Sequence, residues 1–229
     1  MAELTPDPIA REHCVLALDV GDLDAALRVA RPLAPWIGWM KVGLELYSEA
    51  GPAAFEAVAD LGTKVFADLK FHDIPNTVGR ASRAVAQHPI DMLNFHAAGG
   101  EDMMRAAVDG LKEHKPNAIA LAVTVLTSEP DASKVEPRMD HAKSAGCDGV
   151  VCAGTDAQLA RARGLRPLTP GIRLPGSDAN DQARVSTPDG AMNAGAEWIV
   201  LGRTVTAAPD PIAAIAAVHQ QMRDALSRP

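Results

Sequence analysis

The 229 residues are 47% hydrophobic and 22% charged, a balance that fits a globular chain and excludes a disordered or collagen-like one. Lysine and arginine number 22 against 29 acidic residues, for a formal net charge of −7. With one Tyr and four Phe besides, a nucleic-acid binder is not expected.

Strands are expected at 14–18, 40–43, 64–69, 92–95, 118–126, 149–152, 166–169 and 198–201. Helical patterns fall between them at 24–34, 52–61, 77–87, 101–113, 155–163 and 188–194, and a last one spans 211–227. Gly62, Gly146, Gly164 and Gly195 stand where a helix wants a left-handed C-terminal residue. Asp210 followed by Pro211 reads as an N-cap with proline at the first helical position. Alternating strand and helix implies a parallel sheet, and eight such units fit a closed (β/α)8 TIM barrel, one domain over 1–229. The first strand runs into Asp19-Val20-Gly21-Asp22, not GxGxxG, so a dinucleotide fold has no support. With 3% aromatic residues the core is expected to be made of small aliphatics. Cys14, Cys147 and Cys152 form no CxxC and read as reduced thiols of a cytoplasmic protein. No apolar run reaches the roughly 18 residues of a membrane span, and the N-terminal MAELTPDPIAREH lacks a signal peptide's apolar stretch.

In a barrel the site lies at the C-terminal strand ends. Those positions carry Asp19, Lys41, Asp68, Lys70, Asp73, His96, Thr127, Arg173 and Arg203, a set rich in charge for a barrel rim. The densest stretch is DLKFHDIPNT at 68–77. On a regular strand Asp68 and Lys70 share a face, so Lys64, Phe66, Asp68 and Lys70 are expected inside, and Val65, Ala67 and Leu69 outside. Pro75 fixes a turn, and Asn76 or Thr77 is expected to N-cap the next helix. An Asp–Lys pair alone fits a structural salt bridge as well as a catalytic one. Asp19 and Lys41, read singly, fit rim residues. Together they give alternating charges that keep each lysine protonated, suiting a proton donor and fixed charge more than a Schiff-base amine. Glycine and arginine after strands seven and eight, in TPGIR at 169–173 and LGR at 201–203, match the recurrent phosphate site of this fold. A turn glycine and a solvated Arg203 are the plainer alternative. A metal reading would enlist Asp68, Asp73 and His96, but no HxH or HxxxH spacing supports zinc, and His72 and His96 read as packing or supporting groups.

These motifs, in their order, resemble the orotidine 5′-monophosphate decarboxylase family, bacterial type. ALD at 17–19, KVG at 41–43, DLKFHDIPNTV at 68–78, VTVLTS at 123–128, TPGIR, NDQ at 180–182 and LGR carry the likeness over almost the whole chain. The resemblance implies decarboxylation of orotidine 5′-monophosphate to UMP without metal or cofactor. Asp19 and Lys41 would then contact the ribose hydroxyls, and Asp68 would lie beside the departing carboxylate. Lys70 would stabilise and protonate the C6 carbanion. Asp73 and Thr77 would reach into the partner's site in a homodimer. Thr127 would bond the pyrimidine, and Arg173, Gln182, Gly202 and Arg203 would hold the phosphate. The alternative is a magnesium-dependent sugar-phosphate decarboxylase or aldolase of the same barrel superfamily, using the DxKxxD acids as ligands.

Overall fold

The computed structural model describes residues 4–126, 132–174 and 186–227. Eight strands close into a barrel in sequential order: β1 (Cys14–Ala17), β2 (Trp39–Gly43), β3 (Lys64–Phe71), β4 (Met92–His96), β5 (Ile119–Val123), β6 (Gly149–Val151), β7 (Arg166–Thr169) and β8 (Trp198–Leu201). Every neighbouring pair is parallel, β8 returning to β1. The expected (β/α)8 TIM barrel is what forms. Because helices cover the outside and side chains fill the inside, β1, β2 and β5 are buried at every position.

Strand alternation sorts the residues into two cores. Val15, Trp39, Phe66, Met92, Leu121, Leu168 and Trp198 fill the barrel interior. Leu16, Met40, Val65, Ala67, Leu93 and Ile199 face the helices. The interior is less small and aliphatic than composition suggests. Trp39 and Trp198 meet edge-to-face at 5.7 Å between ring centroids. Lys64 Nζ lies 4.9 Å from the Trp39 ring, and the Arg166 guanidinium 4.2 Å from that of Trp198. All four residues begin their strands, so this stopper closes the N-terminal end of the barrel. It also corrects one expectation, since Lys64 sits exposed at that end while Phe66, Asp68 and Lys70 look toward the opposite mouth.

Helix ends follow local chemistry. Asp210 Oδ1 accepts the Ala213 N–H at 3.0 Å, with Pro211 first in the helix Pro211–Leu226. Gly62, Gly146, Gly164 and Gly195 all have positive φ. Four helices among the described residues escaped the sequence pattern: Pro8–His13, Leu44–Ala50, Val135–Ser144 and the short Arg203–Thr206. The fifth strand ends at Val123, short of the expected 126. The helix after β3 begins at Pro75, not Thr77, with Ile74 in the capping position and no side-chain cap. Proline's fixed φ starts the helix and makes capping by Asn76 or Thr77 unnecessary.

That helix, Pro75–Val85, packs closely on Gly100–His114 because glycines meet at the crossing. A Cβ at Gly110 would overlap the carbonyl oxygen of Gly79, which belongs to backbone and cannot swing aside. Gly110→Ala is therefore expected to destabilise the fold by about 3 kcal/mol, measured as a fall in the denaturant midpoint at unchanged m-value. An unaltered midpoint would show that the two helices are free to separate.

Candidate active site

The open mouth leads into a cavity of about 490 Å³. Among the described residues its charged lining is two lysines and two arginines, Lys41, Lys70, Arg173 and Arg203, against Asp19 and Asp68. An acidic chain has thus concentrated a cationic surplus at one place, the local condition for drawing in an anion.

Asp68 sits at the centre. It is 6% exposed, and its two oxygens bind different lysines: Oδ1 to Lys70 Nζ at 2.7 Å and Oδ2 to Lys41 Nζ at 3.0 Å. Lys41 donates onward to Asp19 Oδ1 at 2.8 Å. The result is a chain of alternating charge, Asp19–Lys41–Asp68–Lys70, drawn from the ends of β1, β2 and β3. Burial opposes ionisation of Asp68, but Lys41 and Lys70, with hydrogen bonds from Lys70 and Asn94, overcome it and hold the pKa down to about 2. Burial likewise disfavours the Lys41 ammonium, yet Asp68 and Asp19 outweigh it and raise that pKa. Glycine at position 43 is part of the design, because a Cβ there would lie 2.9 Å from Asp19 Oδ1 and 3.1 Å from Lys41 Nζ.

Lys70 departs from the regular strand on which its position was expected. Its φ is 48°, and the β3–β4 register shifts between Ala67 and Phe71. Simple alternation therefore does not place Asp68 and Lys70; a bulge does. The side chain missed by the sequence is Asn94 on β4. Buried at 1% exposure, it accepts the Lys70 backbone N–H on Oδ1 at 2.8 Å and donates from Nδ2 to Asp68 Oδ1 at 2.6 Å. Its signal was available, because Met92 and Asn94 share the inward parity of β4. His96, at the same strand's end, faces His72 at 5.6 Å between ring centroids. Its pKa is lowered by burial, then by His72 and Lys70.

At the far side of the cavity Arg173 is half-buried and Arg203 exposed. Thr204 Oγ1 donates to the Ile172 carbonyl at 2.8 Å, tying the loop after β7 to the segment after β8. Gly202 precedes the short helix Arg203–Thr206 and also lines the cavity. Asp73 and Thr77 are exposed and do not line the cavity of their own chain; Asp73 Oδ1 accepts the Ile74 N–H at 2.7 Å. Thr127 and Gln182 lie outside the described residues. Among the described residues no group of three or more His, Cys, Asp or Glu is placed to hold a metal ion. With both Asp68 oxygens bound to ammonium groups, the donor set does not favour the magnesium-dependent alternative. No helix of the described residues is long and apolar enough to cross a membrane.

Residues 12–218 match the model of the Orotidine 5'-phosphate decarboxylase / HUMPS family. The chain belongs to that family. It is 43% identical to the orotidine 5'-phosphate decarboxylase of Moorella thermoacetica over 235 residues, covering 93% of each chain. It is 44% identical to the protein of that name from Nitratidesulfovibrio vulgaris, covering 91% of this chain and 96% of the other. The crystal structure of orotidine 5'-phosphate decarboxylase from Lactobacillus acidophilus superposes with a TM-score of 0.77 at 34% identity, over 91% of this chain and 98% of that one. The relatives' shared name is that of a carboxy-lyase, and this chain is an enzyme of that kind.

The charge chain has a pH signature. A carboxylate held down to about 2 in the fold, against an ordinary value of 3.8, stabilises fully above pH 4; that contribution is lost as pH falls toward 2. Carboxyl carbon NMR is expected to show Asp68 titrating near the bottom of that window. A midpoint at the ordinary value would mean the two lysines do not engage it in solution.

Proposed function

We propose that this enzyme removes the C6 carboxylate of orotidine 5′-monophosphate, yielding UMP and CO2 in the last step of de novo pyrimidine nucleotide synthesis, with neither metal nor cofactor. The observation that carries the reading is the Asp19–Lys41–Asp68–Lys70 chain, which presents one ammonium in a preset position at the cavity mouth.

The chemistry needs that arrangement. When the C6–carboxylate bond breaks, CO2 departs and the electron pair stays on C6 in the plane of the ring, where no carbonyl or imine delocalises it. Lys70 meets the pair as a fixed positive charge and then delivers a proton to C6, and the resulting amine regains a proton from water. Two unit charges about 4 Å apart interact by about 4 kcal/mol at an effective dielectric near 20. Expressed only in the transition state, that is roughly a thousandfold in rate. Asp68, itself held by Lys41, keeps the Lys70 ammonium aimed. Asp68 also lies where the substrate carboxylate would enter, so departure of CO2 relieves its repulsion.

The remaining roles are those the resemblance implies, and of their residues Asp19, Lys41, Arg173, Gly202 and Arg203 line the cavity. Asp19 and Lys41 hold the ribose hydroxyls. Arg203, Gly202 and Arg173, joined by Gln182, hold the phosphate, whose binding energy keeps the reacting end in place. Thr127 bonds the pyrimidine. The enzyme is a cytoplasmic homodimer in which Asp73 and Thr77 complete the partner's site. Supporting that, positions 72–77 are exposed throughout and so open to a second chain.

With orotidine 5′-monophosphate and excess EDTA, the near-ultraviolet orotate absorbance is expected to decay, and Lys70→Ala to slow the decay at least about a thousandfold. Persistence of the chromophore with folded parent enzyme, or decay that EDTA abolishes, would overturn the proposal. Arg203→Ala is expected to lower kcat/KM by about a hundredfold, as loss of a charged phosphate contact of 2–3 kcal/mol requires. A value within a few-fold of the parent would remove Arg203 from the phosphate site.

A further inference from the structure

The pairing of β3 with β4 runs Phe66 to Met92 and Ala67 to Leu93, then resumes only at Phe71 with Phe95. Over that interval Asp68, Leu69 and Lys70 stand opposite the single residue Asn94. A backbone ladder cannot serve three residues from one, and a polar group left unpaired at a barrel mouth is costly. The Asn94 side chain replaces the missing rung. Its Oδ1 takes the Lys70 N–H, and its Nδ2 binds the same Asp68 oxygen that binds Lys70 Nζ. Only one orientation of the amide satisfies both, because a carboxylate accepts and an N–H donates.

Lys70 is the one non-glycine residue with positive φ among the described residues. Such a conformation persists only where its surroundings impose it. The contacts that impose it are those of Asn94, and they fix both ends of the Lys70–Asp68 pair, backbone and carboxylate. We propose that Asn94 is a positioning residue for the decarboxylation, an inference that rests on the function proposed above. It holds Lys70 in the left-handed conformation and locks the Asp68 carboxylate, so that the ammonium meets C6 without rearrangement. Asn94 itself touches the lysine's backbone and the aspartate's oxygen, leaving bond breaking and proton delivery to Lys70.

The test uses Asn94→Leu, close in size but unable to bond, and Asn94→Ser, which stays polar but is too short to span from Lys70 to Asp68. Each variant is measured for kcat with orotidine 5′-monophosphate, for affinity toward UMP, and by crystallography beside the parent. Both are expected to lose about a hundredfold in kcat, the scale of a 1 Å misplacement, with UMP affinity within about threefold of the parent. In the variant crystals Lys70 is expected to relax to negative φ and leave Asp68. Retention of kcat within about threefold, a parallel fall of kcat and UMP affinity, or Lys70 unmoved in the variant crystals would each overturn the proposal. A folded parent that never turns over the substrate would instead overturn the decarboxylase reading, and the crystallographic comparison would then decide the role of Asn94 alone.

Discussion

The Asp68 carboxylate, shared between two ammonium groups, is the interaction on which the rest of the site depends. Lys41 is almost as buried as Asp68, and neither charge would survive there alone, because burial pushes each toward its neutral form. Paired, they stay ionised and anchor Lys70, whose side chain remains partly open to the cavity. The chain can therefore hold this cation in a fixed place at the barrel mouth.

The barrel supplies what that charge chain requires. Lys41, Asp68 and Lys70 stand on β2 and β3 and Asp19 just beyond β1, so the closed sheet sets most of their relative positions. The opposite end is filled by the two tryptophans and their stacked cations. Glycine at 43 lets Asp19 and Lys41 meet, and the Thr204–Ile172 bond joins the segments bearing Arg173 and Arg203. The charge chain and the two arginines thus belong to one continuous lining.

Much of this was legible in the sequence because it is local or periodic. Short β-rich runs alternating with helical stretches gave all eight strands, and the parity of Phe66 against Val65 and Ala67 divided interior from exterior correctly. Asp19, Lys41, Asp68 and Lys70 were legible because charges at successive strand ends of a barrel must converge. Strand alternation failed at Lys70, where a bulge adds residues that no periodic template contains. Asn94 kept the inward parity of β4, but its purpose exists only across the bulge. The helix Val135–Ser144 hides in polar sequence with Pro137 inside it, although Val135, Met139 and Ala142 trace its buried face at spacings of four and three. Whether Asp73 and Thr77 serve a second subunit is a property of two chains, which no pattern within one chain encodes.

The central claim is that a fixed, charge-balanced ammonium stabilises an electron pair at C6. By microscopic reversibility such a site also loosens the C6 proton of the product. The direct measurement is proton NMR of UMP in D2O with enzyme and excess EDTA. The account predicts exchange of the C6 proton for deuterium with the parent and none above background with Lys70→Ala. UMP that keeps its C6 proton while the same enzyme turns over orotidine 5′-monophosphate would contradict it.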